Sequence, residues 1–196
     1  ISAFYKNTLN QLEKAVDQLK KEGAKSLVFD VRSTYDGTIE YTCRVIDYLV
    51  PTATDGNKAL ATLVDKNGNN VKTYSSDAKD ITMPMAVLIN SDTAGYGELF
   101  ACDLKDFGKA FLIGEKTAGR ADVQETFELS DGGAVVLTTS KMLPYISESF
   151  DGKGLTPDTE IILADSLREN LSTLEKDRDT QLQAAISMLA GNSSED

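Results

Sequence analysis

The sequence contains no histidine and no tryptophan, only two cysteines and four prolines, and 20 basic residues against 31 acidic ones. Without histidine there is no Ser-His-Asp or Cys-His triad, no histidine metal site and no imidazole pH switch. Acid-base work falls to Lys, Arg, Tyr, Asp or Glu, and nothing in the pattern calls for a metal or an organic cofactor. A formal net charge of −11 argues against nucleic acid or an anionic membrane surface as partner, because both need basic patches. Cys43 and Cys102 lie in apolar helical patterns and read as buried thiols, although two cysteines leave a disulfide open and decide no redox compartment. No apolar run is long enough to span a membrane and no signal-peptide pattern is present, while the chain opens abruptly at Ile1-Ser2-Ala3-Phe4. That opening reads as an interior start, so the missing signal does not argue for the cytoplasm.

What is present suits one globular core: 196 residues, 41 % apolar and 26 % charged. The organising stretch runs from Met85 to Ala101. Met85 to Ile89 is uninterrupted by polar residues and predicts a strand buried on both faces, and the small residues from Asn90 predict a sharp turn into a helix. Such a turn presents one side chain at the mouth of a sheet, and the free N–H groups of the helix start can hold an oxyanion. The presented position is Gly95.

Around this stretch the periodicity predicts an amphipathic first helix (Leu9, Leu12, Val16, Leu19) with a Thr8/Gln11 capping box and a stop at Gly23. A buried strand over Ser26 to Val31 follows, then a turn at Asp36-Gly37 and a second helix from Thr38 to Pro51. Lys66-Asn67-Gly68-Asn69 predicts a surface hairpin, and Ser130-Asp131-Gly132-Gly133 a second hairpin joining Val123–Leu129 to Ala134–Met142. The helix over Ala94 to Phe107 is expected to end at Gly108, with strands over Ala110 to Gly114 and Thr159 to Leu163. The resulting class is mixed α/β, a sheet with flanking helices, divided into a core over residues 1–165 and a helical segment with a frayed tail over 166–196. The many acids read as a solvated face.

Three ordered motifs carry a resemblance. Phe29-Asp30-Val31-Arg32-Ser33-Thr34-Tyr35-Asp36-Gly37, Asn90 through Glu98, and Gly114-Glu115-Lys116-Thr117-Ala118-Gly119-Arg120-Ala121-Asp122-Val123-Gln124 resemble the core segments of the S41 C-terminal processing peptidases, which use a Ser-Lys dyad. Leu129-Ser130-Asp131-Gly132-Gly133 and Gly152 to Asp158 are similar to later family segments, and the likeness runs from about Phe4 to Leu163. It implies a ClpP/crotonase-like core, a peptide or an unfolded protein C-terminus as partner, and an extracytoplasmic or cell-envelope location. Members often carry a PDZ domain; no PDZ-like segment is visible here.

Carried over by residue, the resemblance puts the nucleophile at Gly95, the general base at Arg120, the base-supporting glutamine at Gln124, and oxyanion donors at Gly37 and the Tyr96 amide. Glycine has no attacking atom and arginine accepts no proton, so the expected domain has lost or greatly reduced its peptidase activity. Asp36 would add a negative charge beside a developing oxyanion. Two other readings are a relocated nucleophile at Ser91 or Thr93, with Lys116 beside Tyr96 as a substitute dyad, and a non-enzymatic oligomerisation module. Arg120 is expected either to pair with Asp36 or Asp122 or to receive a terminal carboxylate through its planar fork. Val123 and Phe127 read as core more readily than as a peptide-docking edge.

Overall fold

The computed structural model describes residues 1–51, 59–76, 81–168 and 171–192. The central sheet is parallel, ordered β10 (Thr159–Glu160), β7 (Ala110–Gly114), β6 (Met85–Ile89), β2 (Leu27–Asp30). Every residue of β6 is at most 1 % exposed, which is why its sequence shows no alternation. Met85, Val87 and Ile89 face a core shared with α1 (Thr8–Lys21), α2 (Ile39–Leu49) and α3 (Tyr96–Asp106), where Phe100 sits between Phe4 and Phe29 with ring centroids 5.4 Å apart in each pair. Ala86 and Leu88 face the other way, against Ala185 and Leu189 of α5 (Thr180–Asn192). The C-terminal segment thus supplies the second covering layer. Among the described residues between β10 and α5 are a short helix, α4 (Asp165–Arg168), and a 3-10 turn over Leu171–Thr173.

A second, antiparallel sheet is ordered β5 (Asn70–Ser75), β4 (Ala59–Val64), β9 (Ala134–Leu143), β8 (Asp122–Glu128). The hairpin predicted around Asn67-Gly68 is present, but it is no surface appendage. Its first strand also pairs with β9, and Leu60 and Ala61 are buried. Val123 is core as expected, whereas Phe127 stands 43 % exposed where β8 leaves the body of the domain.

Four local expectations are corrected. Thr8 is the first helical residue rather than the cap; its hydroxyl accepts from the Tyr5 N–H and donates to the Ala3 carbonyl, and Asn7 precedes the helix without a side-chain cap. Leu19, near the helix end, is 41 % exposed. Asp36-Gly37 forms a strand, β3, pairing in parallel with β1 (Ala3–Phe4), not a turn. The strand predicted over Thr159 to Leu163 is confined to Thr159–Glu160, because β7 offers partners only at Ile113 and Gly114. The second helix begins as predicted, with Thr38 as a true cap whose hydroxyl accepts from the Tyr41 N–H, and it ends before Pro51. Residues 193–196 of the expected frayed tail lie outside the described residues.

Candidate active site

At the C-terminal end of β6 the chain turns through Asn90 to Gly95 into α3. Asn90 builds the turn: its side-chain oxygen accepts from the Ser33 and Asp92 N–H groups, and its amide nitrogen donates to the Ser33 hydroxyl. Thr93 is fully buried, its hydroxyl donating to the Val31 carbonyl and accepting from the Asn90 N–H. It holds two strand ends together and does not reach the cleft. Gly95 closes the turn at φ 54°, ψ −108°, a backbone shape that residues with a Cβ avoid. A Cβ built there meets nothing nearer than the Arg120 and Tyr35 carbonyls at 3.7 Å. Glycine adopts this strand-to-helix bend without strain and presents no side chain at its apex.

The bend is held by Glu98, a fully buried carboxylate one turn into α3. One oxygen accepts from the Gly95 N–H at 3.0 Å and the Arg120 N–H at 2.8 Å. The other accepts from the Gly119 N–H at 2.7 Å and from the Thr117 hydroxyl. The Thr117 hydroxyl in turn accepts the Leu155 N–H, and the Ala118 N–H donates to the Thr93 carbonyl. Two segments 25 positions apart in sequence, at Gly95 and Arg120, are therefore fixed to one another through a single side chain. Sequence reasoning met Glu98 only as a motif letter; its place three residues past the turn, where a glutamate reaches back to the helix start, was the available signal.

The cleft that results has a volume of about 540 Å³ and brings together Gly37, Asp36, Gly95, Tyr96, Arg120 and Gln124. The positions carried over from the resemblance (Gly95, Arg120, Gln124, Gly37 and Tyr96) and Asp36 lie together along it, whereas Ser91, Thr93 and Lys116 do not line it. A neighbouring depression shares Tyr35, Ala94 and Arg120 and extends past Ser91. No serine, cysteine or lysine lines the main cleft among the described residues. Lys116 is exposed and lines neither depression. The Tyr96 N–H, first of the helix, has no protein acceptor among the described residues, and the Tyr96 hydroxyl is raised above its ordinary value by burial first, then by Tyr74 and Asp36. The Gly37 N–H is already engaged, donating to Asp36 Oδ1 at 2.9 Å.

The ion pair expected for Arg120 is absent. Its guanidinium makes no ion pair among the described residues, while the Asp36 carboxylate accepts from the Gly37 N–H, and Asp122 lies opposite Lys141 in the β8–β9 ladder. Cys43 and Cys102 are free and buried, and burial, the largest cause, pushes both thiols above their usual range.

Several acids are not on the solvated face predicted for them. Arg32, 4 % exposed in its side chain, bonds Asp30 and, across the chain, Asp179 at 2.7 Å and Gln181 at 2.9 Å. Asp103 is fully buried; Oδ1 accepts from the Tyr145 N–H and Oδ2 has no hydrogen-bond partner among the described residues. Desolvation, the largest cause, raises its pKa well above the ordinary carboxyl value. The folded chain then binds more protons than the unfolded chain above that value, so this group lowers stability as pH rises through the unfolded pKa. Asp103→Asn is expected to raise the Tm at about pH 8 and leave it unchanged near pH 3.5; melts showing no gain at the higher pH would contradict the assignment.

A bend closed by a positive-φ glycine between a buried parallel strand and a helix, facing a second loop across the cleft, marks a core of mixed α/β fold. The chain belongs to peptidase family S41, which matches residues 1–161. It is 32 % identical over 165 residues to the carboxy-terminal processing protease CtpA of Bacillus subtilis, covering 84 % of this chain and 34 % of that protein. To a carboxyl-terminal-processing protease of Picosynechococcus it is 28 % identical, over 96 % of this chain and 44 % of the relative. The chain thus spans between a third and a half of these relatives. Among solved structures, a photosystem II D1 C-terminal processing protease superposes with a TM-score of 0.72 at 28 % identity, over 83 % of this chain and 41 % of that one. A lipoprotein from Streptococcus agalactiae, at 22 % identity and a TM-score of 0.69 over 98 % of this chain and 64 % of its own, shares the fold.

Proposed function

We propose that this S41 domain binds extended peptide or an unfolded protein C-terminus without hydrolysing it. The supporting observation is the apex of the bend: Gly95 offers no atom that can attack a carbonyl, and the residue facing it, Arg120, carries a guanidinium where the Ser-Lys scheme has an amine. In the Ser-Lys scheme of the family, the lysine takes the serine proton and two amides hold the tetrahedral oxygen. Here both groups of that first step are missing, while the cleft, Gln124 and the Tyr96 N–H are retained. The thioether-free, partly aromatic lining of Tyr35, Tyr96 and Val136 suits peptide side chains, and the exposed β8 edge offers backbone partners. Ser91 is exposed but has no lysine beside it in its depression. An extracytoplasmic setting accords with a relative named as chloroplastic; no helix among the described residues is long and apolar enough to cross a membrane.

The test uses the full chain with an unfolded protein substrate. Expected is peptide binding without cleavage by the unmodified chain, and slow cleavage by Gly95→Ser/Arg120→Lys. Robust turnover by the unmodified chain, with serine-reactive phosphonate on Ser91, overturns the loss of hydrolysis. Failure to bind unfolded peptide at millimolar concentration overturns the binding role.

A further inference from the structure

The conversion of this cleft involves more than the two exchanged side chains. Given the non-hydrolytic reading above, on which this inference rests, we propose that Asp36 is a built-in plug: its carboxylate occupies the donor end of the cleft and consumes one of the two amides available to a ligand oxygen.

Three observations carry it. First, the Asp36 carboxylate accepts the Gly37 N–H at 2.9 Å, so the amide that lines the cleft is satisfied from within the chain. Second, the amide cannot swing to a new direction. Gly37 sits at φ 142° against Phe4, where even a Cβ would lie 2.6 Å from the Phe4 oxygen and 2.8 Å from its nitrogen, and the Thr38 N–H is pinned to the Phe4 carbonyl at 3.0 Å. The β1–β3 pairing therefore fixes where the Gly37 N–H points. Third, Asp36 itself lines the cleft, beside Gly37, Gly95 and Tyr96.

The Tyr96 N–H, by contrast, has no acceptor among the described residues. One open donor beside a carboxylate stands where the family resemblance implies two donors. An oxygen that becomes negative there would meet half the hydrogen bonding and a like charge. Asp36 thus acts on a developing oxyanion and not on the binding of an unreacted peptide, which carries no such charge.

Removing one oxyanion donor from an active hydrolase typically costs about 10²–10³ in kcat, so releasing the Gly37 amide is expected to restore a comparable factor. The experiment compares Gly95→Ser/Arg120→Lys with the same double variant carrying Asp36→Ala or Asp36→Asn. Cleavage of an unfolded substrate is read beside the affinities for a plain peptide and for a peptide boronate, whose tetrahedral adduct with the introduced hydroxyl bears the negative oxygen. Asp36→Ala is expected to raise kcat by about 100-fold over the double variant. It should tighten the boronate without tightening the plain peptide. Asp36→Asn removes the charge but can still accept the amide, so its gain should be smaller. A triple variant no faster than the double variant overturns the proposal, whether both are slow or both are fast, and so does equal tightening of the two ligands. Turnover by the unmodified chain would instead overturn the non-hydrolytic reading, so the two failures are separate outcomes.

Discussion

Replacing Glu98 with alanine is expected to destabilise the domain by about 3–5 kcal/mol and to lower its Tm by on the order of 10 °C. The size follows from what the carboxylate holds. Three backbone N–H groups, of Gly95, Gly119 and Arg120, and the Thr117 hydroxyl all end on it in a fully buried position. Truncation leaves them facing a cavity, and each unsatisfied buried donor costs about 1–3 kcal/mol, though not additively. Glu98→Gln keeps the packing and one accepting oxygen but turns an NH₂ group towards two donors, so an intermediate loss is expected. Thermal denaturation gives the magnitude. Amide exchange gives the mechanism, because the Gly95, Gly119 and Arg120 amides should lose protection well before the β6 amides. A Tm change within 2 °C for the alanine variant would show that the two loops hold each other by other means.

The second large effect is expected at Asp179, far from the cleft. Its carboxylate bonds both terminal nitrogens of Arg32 and caps α5 through the Leu182 N–H at 3.0 Å. Asp179→Ala removes a cap worth about 1 kcal/mol and breaks a buried pair, for a total loss of about 3–5 kcal/mol. Asn retains the cap and one acceptor, so Asp179→Asn should recover part of it. The loss should concentrate at the C-terminal layer: α5 carries Ala185 and Leu189 onto Ala86 and Leu88, and its release would open that face of the sheet. Limited proteolysis should therefore cut the alanine variant between residues 164 and 179 first. Unchanged protease resistance would mean that apolar packing alone secures α5.

The contrast between what could be read and what could not follows range along the chain. β6, α3 and β7 were legible because burial on both sides leaves an unbroken apolar run, and because Gly95 and Gly108 mark the two ends of the helix. The β1–β3 pairing was hidden, since Ala3 and Asp36 meet across more than thirty residues and neither two-residue strand has a period of its own. Acids were misread for a related reason. Composition assigns them to solvent, whereas the donors that bury Glu98 and Asp179 come from segments 19–22 and nearly 150 positions away. The six cleft residues were found through ordered motifs, which report position but not rotamer. Whether Arg120 would pair with Asp36 depended on where the Asp36 carboxylate turned, and it turned to the neighbouring amide.

One consequence of the bend at Gly95 concerns reversibility. Its dihedral angles suit glycine, whereas an L side chain in such a region stores about 1–3 kcal/mol. A serine placed there would find room and yet load a spring that glycine leaves slack. The fold itself therefore favours glycine at this position: a serine would be penalised in stability before any chemistry could reward it, so backbone geometry alone acts as a ratchet that holds the residue in place.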